Sequence, residues 1–117
     1  MRYKIDNVKN YTETRGWLCG QFFPNDSIQK NSDLEVKYDL LKPGDTYTSH
    51  HHPYGTEVCI VVKGKLKWRL DGTEYILSDG DFVFLKNNVT EEILEVYEPT
   101  TTISVRTPSV PNNKILT

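Results

Sequence analysis

The chain has 117 residues, 14 Lys and Arg against 16 Asp and Glu, a formal net charge of −2 and only three histidines. Its length suits one compact domain with a sizeable core, and the absence of a basic block removes the electrostatic footprint of a binder of nucleic acid or anionic membrane. Cys19 and Cys59 form no Cys-x-x-Cys pair, and no apolar stretch suits a signal peptide or membrane span, so a cytoplasmic protein with reduced thiols is expected.

Residues 1–33 read as an N-terminal arm. Within it, Trp17 to Phe23 is a strand candidate too apolar to leave in water, which suggests a strand added or swapped into a second subunit and hence a homodimer. Asn25 to Asp33, rich in Asn, Asp and Ser, reads as a loop. From residue 34 the apolar period is two, the mark of half-buried strands. Leu34 to Leu40 alternates cleanly, as does Lys65 to Leu70, with cations on one face and Leu66, Trp68 and Leu70 on the other. Glu57 to Val62, Glu74 to Leu77, Phe82 to Leu85, Ile93 to Tyr97 and Thr101 to Arg106 complete about eight strands. Turn signals separate them at Pro43-Gly44-Asp45, Lys63-Gly64-Lys65, Asp71-Gly72-Thr73, Asp79-Gly80-Asp81, Asn87-Asn88 and Glu98-Pro99. This spacing predicts an all-β sandwich or small barrel over 34–107, followed by an irregular tail over 108–117 that holds Pro108 and Pro111.

The three histidines stand together at 50 to 52. On a strand, residues two apart share a face about 6.6–6.8 Å from one another, so His50 and His52 point one way and His51 the other. Pro53 to Thr56 has the length of a turn, after which Glu57 opens the next strand and can add a carboxylate. Two neutral imidazoles and one carboxylate make a face that leaves open positions on a divalent transition metal. Cys59 shares the parity of Glu57, which places it at the cavity or in the core as a small hydrophobe. Tyr38, Tyr47 and Trp68 are candidates for a pocket lining, although aromatics on the inner face of a small barrel are usually core.

Residues 44 to 64 read Gly-x5-His-x-His-x4-Glu-x6-Gly, and in this the chain resembles the cupin superfamily, whose first motif it matches at every fixed position. The second cupin motif, Gly-Asp-x4-Pro-x-Gly-x2-His, is met by Gly80-Asp81, with Lys86 for the proline, Asn88 for the glycine and Glu91 for the histidine. Asn88 can take the left-handed conformation a glycine would supply. The ending Val105 to Pro111 also looks like the tail of small single-domain cupins. The resemblance implies a cupin-type jelly-roll β-barrel with His50, His52, Glu57 and Glu91 around Fe, Mn, Ni or Zn; Glu92 is the rival ligand if the register slips by one. Two neutral histidines, two carboxylates and one divalent ion would sum to zero charge. Two functions stay open: a metalloenzyme acting on a small oxygenated acid or sugar, and a non-catalytic module binding a sugar or nucleotide-like ligand.

Overall fold

The computed structural model describes residues 2–117. After a 3₁₀ turn at Val8–Asn10, eight strands follow: β1 Trp17–Cys19, β2 Glu35–Leu41, β3 Tyr47–His51, β4 Thr56–Leu70, β5 Thr73–Ser78, β6 Phe82–Leu85, β7 Glu91–Thr107 and β8 Ile115–Leu116. Every strand pairing among the described residues is antiparallel. The two long strands, β4 and β7, pair along their whole length and belong to both layers of the jelly roll. Their first layer runs β1-β2-β7-β4-β6, through the end of β7 and the start of β4. The second runs β8-β3-β7-β4-β5, through the opposite halves of the same strands. An all-β cupin-type jelly roll is therefore what the chain adopts.

Two expected turns are instead bends within these long strands. Lys63-Gly64-Lys65 and Glu98-Pro99 face each other where the β4–β7 register shifts. Gly64 has φ +119°, and a Cβ there would stand 2.3 Å from Thr100 Oγ1, so only glycine lets β4 approach β7 at the bend. Pro99 has no N–H to give to the ladder and has no register partner; a bulge is the place in a sheet that tolerates it. The turn residues bend each strand from one layer into the other without ending it.

The core lies between the layers and holds Leu41, Cys59, Val61, Leu66, Trp68, Ile93 and Val96. Strand β4 alternates as its sequence directs: Leu66 and Trp68 are buried, while Lys67 and Arg69 face outward and pair with Glu74 or Glu92. Strand β2 inverts that rule. Its apolar set, Val36, Tyr38 and Leu40, lies on the outer side, with Leu40 69% exposed, whereas Lys37 and Asp39 line the interior. Tyr38 therefore packs beside Val8, Tyr11 and Gly16 of the arm and does not line the histidine cavity; period-two alternation identifies two faces but not which of them meets the core.

The arm and tail are built into the domain. Strand β1 pairs with β2 of its own chain, so the apolar arm segment has a ladder partner without a second copy. The tail, expected to be irregular, forms β8 and pairs with β3 at His50 and His51.

Candidate metal centre

Strand β3 carries His50 inward, opposite Glu91 at the start of β7. His51 points away from the cluster and is half-buried beside Ile115. Across the Pro53–Thr56 link, Gly55 adopts φ +79°, and a Cβ on it would meet the Thr107 carbonyl oxygen at 1.7 Å. This close approach lets Glu57 enter β4 buried, in register with Arg106. Asn88 takes the left-handed conformation expected of it, φ 67°, and its N–H donates to the His52 carbonyl at 2.8 Å, tying the turn before β7 to the end of β3.

His50, His52 and Glu91 are buried, and their ligand atoms all lie within 4.8 Å of one another. His50 Nε2 is 3.8 Å from Glu91 Oε1, and His52 Nε2 is 3.7 Å from Glu91 Oε2. The other ring nitrogens face backbone carbonyls, His50 Nδ1 that of Thr48 at 2.7 Å and His52 Nδ1 that of Asn113. A carbonyl oxygen can only accept, so each Nδ1 carries the hydrogen and each neutral ring presents a bare Nε2 lone pair. Lone pairs facing a carboxylate repel unless a proton or cation lies between them. His52 Nε2 and Glu91 Oε2 are indeed buried without a hydrogen-bond partner, and this donor set suits a divalent transition metal.

The electrostatics point the same way. Burial, followed by the charge of Glu57, pushes the Glu91 carboxyl up to about 8. Burial, and then the charge of Arg106, pushes His52 down to about 4; His50 is also lowered, chiefly by burial. Neutral imidazoles and a carboxyl short of stabilising partners are the state a metal-free ligand set adopts.

Glu57 stands at the edge of this set. Its Oε1 is 3.7 Å from His52 Nε2 and 3.3 Å from Arg106 Nη2, and it is outside the compact three-residue cluster. Arg106 Nη1 donates to Glu35 Oε2 at 2.6 Å, and Ser109 Oγ donates to Glu35 Oε1 at 2.9 Å. A buried network thus joins strand β2, the tail and the cluster. Glu92 faces the other way, accepting from Arg69 Nη1 at 2.8 Å.

The cluster opens onto a cavity of about 340 Å³ that Tyr47, Cys59 and Trp68 also line. Burial pushes the Cys59 thiol up to about 12, so it is a neutral, inert side chain at ordinary pH. Both cysteines are free. Tyr47 donates its hydroxyl to Asp39, with Lys37 Nζ 3.4 Å from both groups. Sequence reasoning missed Lys37, Asp39, Arg106, Asn113 and Lys114. Lys37 and Asp39 were hidden by the convention that the charged face of an alternating strand meets water, and nothing local marks Asn113 as a neighbour of His52.

The cupin domain profile matches residues 38–92. No curated protein matches the sequence. Among solved structures, an uncharacterized conserved protein with a double-stranded β-helix domain from Klebsiella pneumoniae is 22% identical, with a TM-score of 0.70 over 97% of this chain and 96% of that one. The DMSP lyase DddQ from Ruegeria pomeroyi is 17% identical, with a TM-score of 0.68 over 92% of this chain and 63% of its own. A salicylate 1,2-dioxygenase from Pseudaminobacter salicylatoxidans is 16% identical, with a TM-score of 0.59 over 64% of this chain and 21% of its own. With its jelly roll and its paired motifs, the chain has the cupin fold, and its residues 38–92 match the cupin domain profile.

Proposed function

We propose that this chain is a metal-dependent cupin acting on a small oxygenated metabolite, an acid or a sugar, through Fe, Mn, Ni or Zn. His50, His52 and Glu91 hold the ion, and Glu57, steadied by Arg106, completes the set or orients His52. The observation that carries this reading is the convergence of two bare imidazole nitrogens on one buried carboxylate. A divalent ion there supplies Lewis-acid polarisation of a substrate oxygen. The chain's own groups do the rest: Thr48 and Asn113 fix the ring tautomers, and the core side chains Trp68 and Ile93 give the cavity an apolar wall. The lyase and the dioxygenase with the same fold support small-molecule chemistry as the class, although fold does not choose the reaction.

A second reading, a binding module for a sugar or nucleotide-like ligand, is favoured by one observation. The proton-transfer candidates in the cavity are engaged or inert: Tyr47, Asp39 and Lys37 bind one another, and Cys59 is a neutral thiol.

Elemental analysis of untagged protein tests the metal centre. About one divalent ion per chain is expected, lost in His50→Ala plus His52→Ala and kept in His51→Ala. Substoichiometric metal that is indifferent to the double substitution would sink the proposal. Oxygen uptake in a screen of small acids and sugars then separates an oxygenase from a passive binder.

A further inference from the structure

The cavity contains more hydrogen-bond donors and positive charge than a metal centre needs. Trp68 is 3% exposed and lines the cavity, yet its indole Nε1–H has no acceptor. Arg106 Nε–H, also buried, has none either. A buried donor without a partner costs about 1–3 kcal/mol, a cost that an arriving acceptor removes. Four cationic side chains, Arg15, Lys37, Arg106 and Lys114, line the same space. Lys37 is committed to Asp39, and Arg106 to Glu35 and Glu57. Arg15 and Lys114 have no carboxylate partner among the described residues. Both stand where the cavity meets a wider groove of about 620 Å³. Asp39, Glu57 and Glu91 in the cavity and Glu13 and Glu35 in the groove outnumber the four cations by one, so a bound divalent ion leaves one positive charge in excess.

We propose that the ligand of this cavity is a small carboxylate rather than a neutral sugar, accepting from Trp68 Nε1–H inside and drawn in by Arg15 and Lys114 at the mouth. This rests on the metal-centre reading for the excess charge, while the free indole donor and the two unpaired cations belong to the metal-free protein as well. A neutral polyol leaves the cationic excess uncompensated, whereas a carboxylate neutralises it. A hydrogen bond to a charged acceptor contributes about 1.5–3 kcal/mol, roughly ten- to a hundredfold in affinity.

Malonate and its neutral isostere malonamide, titrated calorimetrically into metal-free and Mn²⁺-loaded protein, test this. Malonate should bind at least tenfold more tightly than malonamide, with an affinity that falls as salt rises. Trp68→Phe should weaken malonate by about tenfold with Mn²⁺ affinity unchanged. Arg15→Ala plus Lys114→Ala, two exposed positions that leave the fold intact, should weaken malonate and flatten its salt dependence. Equal affinities for the two probes, or an unaltered malonate affinity in both variants, would overturn the proposal. Failure to take up Mn²⁺ overturns the metal-centre reading instead, and the malonate preference is then read on the metal-free protein.

Discussion

Proton placement decides the chemistry of His50, His52 and Glu91. With both Nδ1–H groups held by carbonyls and both Nε2 atoms bare, Glu91 of the metal-free cluster titrates at about 8. Its folded pKa is raised from 4.5, so its contribution to stability is fully present below about 4.5 and is lost as pH rises through about 8. A bound metal would reverse the sense, because it would take the ionised carboxylate and displace the proton. Apparent Mn²⁺ affinity, measured by competition with a chelator whose own pH dependence is known, should rise close to tenfold per pH unit from 6.5 to 8 and level off above. The histidines stay neutral through that window because burial lowers both. In Glu91→Gln the slope should disappear together with most of the affinity.

Strands and the tail determine where those residues stand. The His-x-His spacing, the carboxylate after the turn and the second-motif position of Glu91 were legible because strand parity and motif interval are local properties. The support from the tail was not, since Asn113 and His52 meet only when β8 docks on β3. Asn113 is buried; its side chain accepts from Tyr54 N–H at 2.8 Å and donates to the Tyr54 carbonyl at 3.1 Å, while its own carbonyl orients His52. Asn113→Ala removes both side-chain bonds and frees the carbonyl to drift. We expect metal affinity to fall about 10–100-fold, the usual cost of losing a partner that orients a ligand, with a loss of stability of ~1–3 kcal/mol measured by urea titration. Arg106→Ala acts on the same network from β7. It strands Glu35 and Glu57 as buried carboxylates, and breaking such a set costs about 3–5 kcal/mol, a loss that chemical denaturation should record.

At the scale of the whole molecule, a metal held by His50, His52 and Glu91 would couple its binding to folding, because the end of β3 and the start of β7 come together only in the folded chain. A ligand that binds the folded state alone stabilises it by about 2.7 kcal/mol at a hundred times its dissociation constant. For a domain of this size that raises Tm by about 10 °C or more, and calorimetry with and without Mn²⁺ at pH 8 should show it; His50→Ala plus His52→Ala should show no rise. By itself the sequence determined the all-β class, the strand periods, the inward pair His50 and His52, and the conformation demanded of Asn88, since each follows from residue type and short-range spacing. Tertiary structure decided which face of β2 turns inward, that β4 and β7 pass through their bends into both layers, that Arg106 holds Glu57, and that the tail orients His52. Those depend on contacts between residues distant in the chain, where closing the jelly roll outweighs local preference and a charged strand face meets a polar cavity as readily as it meets water.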